Sequence, residues 1–154
     1  MGNDSSGKPA ADIATLVPLL NRLRPAALSA QFDLLAKGGF PGLTPGTLAL
    51  LPFIGPSGAR PIVLAEQAGM TRQAAGQTLR EMESRGFISL SNDPDDDRAK
   101  LARLSRQGEA LRDAAAAARD SIRRAAEATI GPERLAVWLM DGKAIAAALE
   151  SLRR

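Results

Sequence analysis

The chain has no cysteine and no histidine among its 154 residues. Without thiols, disulfides, thiolate zinc sites and thiol-based oxidation sensing are excluded, and the composition suits a reducing cytoplasm. With histidine missing too, the commonest nucleophile, general base and metal ligands are absent together. We therefore expect no enzymatic activity, no cofactor and no metal. Tyrosine is also absent, and aromatic residues make up only 3% of the chain against a hydrophobic share of 45%. Alanine and leucine fill the apolar positions instead, a composition suited to closely packed helices. No run reaches the roughly 18 unbroken apolar residues of a membrane helix, and no signal peptide is visible. The net charge of +3 is a weak pointer to polyanionic partners, because the basic residues are interleaved with acids rather than clustered.

What the sequence does contain is organised around residues 62–108. Leu64, Ala65 and Ala68 fall at helical spacing, Gly69 stops that helix, and Thr71 is a ready N-cap for the next. From Thr71 to Arg85 the apolar positions Ala75, Thr78, Leu79 and Met82 share one helical face. The other face carries Arg72, Gln73, Gln77, Arg80 and Glu81, and Gly86 ends the helix. Two helices joined by a short turn containing glycine match a helix-turn-helix, whose second helix enters the major groove with its N-terminal residues leading. Thr71, Arg72, Gln73 and Gln77 can reach base edges or phosphates, and glutamine can pair with adenine through two hydrogen bonds. Ala74, Ala75 and Gly76 are small enough to allow close approach or contact with a thymine methyl. Taken alone, the same residues also fit an amphipathic surface helix in any helical domain.

A hairpin after the second helix narrows the choice. Residues 87–91 and 100–104 alternate as two short strands, joined by the turn-forming stretch Asn92-Asp93-Pro94-Asp95-Asp96-Asp97-Arg98. A strand pair with a long tip in this place is the wing of a winged helix. Arg98 near the tip would enter a narrow minor groove, with Asp96 holding it by a charge-assisted hydrogen bond. Arg85 and Lys100 complete the expected DNA-facing set. Most of the carboxylates from Asp93 to Asp97 read as a solvated acidic turn, since acids beside DNA repel phosphate unless paired or turned away. Asp93-x-Asp95-x-Asp97 also opens like a calcium loop, but its sixth position is Arg98 rather than glycine and its twelfth is Leu104 rather than glutamate, so metal binding is rejected.

These residues resemble the MarR (multiple antibiotic resistance regulator) family of winged-helix transcription factors. The resemblance rests on LAEQAGMT leading into the recognition helix, on MESRGFI, and on a wing signature in which Asp96, Arg98, Ala99, Leu104, Ser105 and Gly108 sit at family spacing. Two positions depart from it: Asp97 stands where many members carry a second arginine, and Met82 replaces the usual leucine. The resemblance implies a mainly α fold with a small β-hairpin wing, flanked by N- and C-terminal dimerisation helices. It also implies a homodimer that reads a pseudo-palindromic double-stranded operator, usually as a repressor. A small aromatic or hydrophobic effector would release it from a crevice between the DNA-binding lobe and the dimerisation helices. The alternative from another class is a winged-helix dimerisation or protein-docking module that reads no DNA.

The rest of the chain fits this frame. Residues 1–10 read as a mobile tail whose first six residues formally match an N-myristoylation motif; a disordered leader is the preferred reading and no membrane contact is expected. Residues 11–154 read as one domain, with residues 11–40 and 109–154 as the dimerisation helices and 43–108 as the DNA-binding lobe. Ile13, Leu16, Val17, Leu20 and Leu23 form an apolar stripe, interrupted by Pro18 and by Pro25, where a kink or a junction of two helices is expected. Thr44 caps a helix beginning at Pro45, with Leu48, Leu51 and Phe53 facing inward. The Pro/Gly-rich segment 55–61 reads as a stiff connector, with the border of a ligand crevice as its alternative. Ser105 caps a long alanine-lined helix running to Ile130, on which Arg119, Arg123 and Arg124 form a solvated face. Gly131-Pro132 then starts a last helix carrying Leu135, Trp138, Leu139, Ile145, Leu149 and Leu152. From the resemblance, Leu16, Leu20, Leu23, Trp138, Leu139, Ile145 and Leu149 are the expected dimer contacts.

Overall fold

A computed structural model describes residues 16–94 and 96–152, with backbone alone at 97 and 98. The leader 1–10, its acylation motif and Ile13 lie outside the described residues. The order is α1 (Leu16–Lys37), α2 (Pro45–Leu50) with a 3-10 turn (Leu51–Phe53), α3 (Pro61–Gln67), α4 (Arg72–Ser84), β1 (Ile88–Asp93), β2 (Asp96–Leu104), α5 (Arg106–Ile130) and α6 (Pro132–Ser151).

Local chemistry sets most of the boundaries. The hydroxyls of Thr44, Thr71 and Ser105 accept hydrogen bonds from the backbone N–H groups of Thr47, Ala74 and Gly108 at 3.3, 3.2 and 3.0 Å. Each satisfies a donor that the first helical turn leaves orphaned. At the end of α1, Phe40 N–H reaches back to Leu35 O at 2.9 Å while Gly39 takes a φ of 90°, the left-handed turn that glycine adopts without steric cost. Of the two readings at Pro25, the junction of two helices is not found: one helix runs through it. The ring removes a single backbone bond, and the segment around it is exposed, so water can satisfy the freed carbonyl.

The core lies where the helix-turn-helix meets the start of α5. Leu64 and Ala65 of α3, Ala75, Leu79 and Met82 of α4, Phe87, Ile88 and Ala102 of the hairpin, and Leu111, Ala115 and Ala118 of α5 are buried together with Leu35, Leu50, Leu51 and Ile54. Leu51 is inside as expected. Phe53 is not: the turn carries it to the surface, and Leu50 and Ile54 fill the space instead. The outer half of α1 and most of α6 contribute little to this core. Val17, Leu19, Leu20, Leu23, Trp138, Leu139, Ile145 and Leu149 are all exposed, and α6 packs chiefly on α5. No helix among the described residues is long and apolar enough to cross a membrane.

Candidate nucleic-acid interface

α4 is seated by the residues that its sequence periodicity marks as apolar. Ala75, Thr78, Leu79 and Met82 are buried, which turns Arg72, Gln73, Gln77 and Arg80 outward beside the exposed cap Thr71. The turn before it is tight: Gly69 has a φ of 62° and Met70 N–H donates to Ala65 O at 2.8 Å. Ala74 and Gly76 lie partly buried along the same side. A methyl group added at Gly76 would meet only the Arg80 guanidinium, 3.6 Å away. Hydrogen-bonding side chains and a low backbone profile therefore share the outward surface of α4, the combination needed to read base edges.

The hairpin is longer than the alternation suggests. β1 extends to Asp93 and β2 begins at Asp96, so the tip between them is shorter than the long one expected. The strands pair antiparallel from Ile88↔Leu104 to Asn92↔Lys100, then slip so that Asp93 faces Asp96. Lys100 Nζ donates to Asn92 Oδ1 at 2.7 Å across that last regular pair. Segment 55–61 is no mere connector, because Ala59 forms an antiparallel bridge with Ala102, exchanging two 2.9 Å hydrogen bonds. Gly58 makes the approach possible: its φ is 86°, and a Cβ there would lie 2.9 Å from Ala102 O.

Two charged residues depart from their expected roles. Asp93 is not in a solvated turn. Its side chain is 6% exposed and accepts from Arg60 Nε at 2.6 Å, with Asp96 also 4.0 Å from Arg60 Nη1. The slip after Asn92 accompanies this: Asp93 faces Asp96, three residues out of the regular register, and the inward position falls at 93 rather than at 92. Arg85 turns away from the outward face of α4. It donates to Gly42 O and Pro41 O, each at 2.6 Å, and its guanidinium sits 4.9 Å from the centre of the Phe87 ring. We therefore expect Arg85→Ala to cost about 1–2 kcal/mol of stability, from charge-assisted bonds at a partly exposed site, while leaving DNA affinity unchanged. Urea denaturation beside an operator titration checks both parts.

Arg98 lies on β2, and its side chain, and with it the expected contact with Asp96, lies outside the described residues. Arg60 and Glu83 were not singled out from sequence. Glu83 Oε1 accepts from Leu90 N–H at 3.0 Å, tying α4 to β1. Arg60 meets a partner 33 residues away, a separation that no local pattern signals. On α5, Arg123 and Arg124 are solvated as expected, paired with Asp120 and Glu127. The hydrogen bond from Arg123 holds the Asp120 carboxyl below its usual range against the opposing effect of desolvation, with the positive charges of Arg123 and Arg124 adding smaller contributions in the same direction as the hydrogen bond. Arg119 is exposed as expected too. It borders an open cavity of about 500 Å³ between α1, α2 and α5, with Arg24, Leu28, Leu48 and Ile122. A second cavity of about 390 Å³ separates α1 from α6, lined by Leu16, Leu20, Leu23, Trp138, Leu139 and Ile145. No group of three or more acidic residues is placed to hold a metal ion among the described residues.

No protein-family model and no curated relative matches the sequence. Solved structures do match the fold. FabT of Streptococcus pneumoniae, determined in complex with DNA, superposes with a TM-score of 0.79 at 16% identity, covering 92% of this chain and 99% of that one. The MarR family transcription regulator SP03579 gives 0.73 at 22% identity, with 91% and 89% covered. PcaV of Streptomyces coelicolor, determined with its natural ligand, gives 0.70 at 22% identity, with 91% and 98% covered. With helix-turn-helix, bridged wing and flanking helices in the same arrangement over nine tenths of its length, the chain has the winged-helix fold of the MarR-family transcription regulators.

Proposed function

We propose that the protein is a sequence-specific double-stranded DNA-binding transcription regulator, acting as a homodimer on a pseudo-palindromic operator in the cytoplasm. The observation that carries this reading is the outward face of α4: Thr71, Arg72, Gln73, Gln77 and Arg80 exposed together at the start of a rigidly seated helix, next to the wing. Residues 43–108 form the reading lobe in this proposal, and the helices on either side pair two copies. Two α4 helices related by a two-fold axis would then enter successive major grooves roughly 34–36 Å apart. Phosphate contacts would supply affinity, and base contacts from Gln73 and Gln77 the sequence choice. Arg98 on β2 is proposed for the minor groove beside them, with Lys100 on the flanking backbone. The cavity of about 500 Å³ against α2 is the proposed seat of a small hydrophobic or aromatic effector. FabT with DNA and PcaV with a ligand are precedents on this fold for both kinds of partner.

Genome-fragment selection with purified protein tests the reading, because it returns operator, half-site spacing and symmetry together. A salt-dependent shift of the recovered fragment is expected. A protein-docking module would give none, and that result would end the proposal. With the operator in hand, Gln73→Ala should relax base preference at one position of each half-site while leaving the salt slope unchanged. A change in slope alone would move Gln73 to phosphate.

A further inference from the structure

We propose that Arg60 is a positioning residue for the wing, locking the hairpin to the helix-turn-helix through the buried carboxylate of Asp93; this rests on the DNA-binding reading above. Arg60 is the N-cap residue of α3 and follows directly on Ala59, which bridges to Ala102 of β2. Its guanidinium therefore stands at the seam where the reading helices meet the wing. Asp93 comes to that seam where the hairpin slips register after Asn92. An irregularity that costs a ladder bond is thus used to aim a carboxylate inward at a cation 33 residues away. Asp93 is 5% exposed, so its charge has little water to turn to, and removing Arg60 takes a close cationic partner from a buried carboxylate. Arg60 is 42% exposed in its side chain and also lies 4.0 Å from Asp96. One cation thereby fixes the root of the wing and draws together two of the acids that would otherwise face phosphate.

The two roles predict opposite signs for one substitution. Asp93→Asn keeps the shape and deletes a negative charge next to the proposed DNA surface. If charge alone mattered, DNA binding would tighten. If Arg60 and Asp93 hold the wing, binding weakens because the hairpin loses its anchor. We expect affinity for the selected operator to fall about tenfold, with hydroxyl-radical protection lost at the outer flanks of the footprint and kept at its two centres. Arg60→Ala should do the same. Arg60→Lys, which keeps the charge, should recover most of the affinity and the flank protection. In the free proteins, amide exchange should accelerate about tenfold in β1 and β2 of Asp93→Asn but not in α4. Equal or tighter binding by Asp93→Asn with an intact footprint overturns the proposal, as does unchanged exchange in the hairpin. Should the parent chain bind no DNA at all, the functional reading fails while the exchange measurement still decides whether Arg60 holds the wing.

Discussion

Replacing Gly108 with alanine should lower the thermal midpoint by about 6–12 °C at matched protein concentration, the shift that 3 kcal/mol gives in a chain of this size. Gly108 lies in the first turn of α5, directly against the turn that leads from α4 into β1. A Cβ built there falls 1.9 Å from Phe87 O and 2.9 Å from Phe87 C, with Leu104 Cδ2 at 3.1 Å. These are backbone atoms, so no rotamer change can relieve the clash. Nor is the backbone free to retreat. Phe87 O accepts from Ser105 N–H at 3.0 Å, Phe87 N–H donates to Met82 O at 2.9 Å, and the Ser105 hydroxyl donates to Gly86 O at 2.5 Å. Overpacking at a site that cannot yield lies at the upper end of the usual range, about 3 kcal/mol or more. Gly76→Ala is the control: it sits inside α4 with only Arg80 Nη1, at 3.6 Å, near a new Cβ, and helix propensity there should add up to about 1 kcal/mol. A Gly108→Ala protein melting within 2–3 °C of its parent, about 1 kcal/mol by the same conversion, would mean that α5 does not start against this turn.

The contrast between the two glycines shows what can be read from sequence. Helix-turn-helix boundaries are legible because their causes are local. Thr71 caps the helix that follows it, Gly69 and Gly86 take the positive φ that ends helices, and the Ala75-Thr78-Leu79-Met82 stripe is buried as spaced. The exposed face of α4 follows from the same periodicity, so Thr71, Arg72, Gln73, Gln77 and Arg80 lie outward as spaced. The contacts of Arg85 are not legible in this way, because its partners, Gly42 and Pro41, are more than 40 residues upstream. A sequence pattern says which face a residue occupies but not which carbonyl captures it. The wing is found where alternation places it, but its details are missed for a similar reason. Alternation gives two strands, yet the slip beside the buried Asp93, the bridge at Ala59 and the pairing with Arg60 all depend on tertiary approach. Pro25 is the opposite case: a strong local rule allows a break, and an exposed helix surface lets the chain continue. Gly108 sits at family spacing in the wing signature, but only the packing against Phe87 gives that spacing a physical reason.

The second large effect is expected on the face that one protomer leaves uncovered. Leu20→Glu combined with Leu139→Glu should convert the protein to monomers at micromolar concentration. It should also weaken binding to the full operator by roughly 100- to 10,000-fold, the range that linking two binding events contributes. Both side chains are more than 40% exposed in the protomer and line the cavity between α1 and α6. Their replacement should leave the core of the reading lobe intact. In a two-fold dimer each substitution acts twice, and each brings a charge into a surface lined mostly by apolar residues such as Leu16, Leu23, Trp138 and Ile145, with Asp141 and Lys143 at the same cavity, so that four new carboxylates face burial there. Trp138, 49% exposed on α6, provides the readout, since its fluorescence should report solvent in the variant and a buried ring in the parent. Affinity for a duplex carrying one half-site should be the same in both proteins, because α4 and the wing are untouched. That equality separates loss of pairing from loss of fold. A variant that still sediments as a dimer and binds the full operator as its parent does would show that two copies meet on another face.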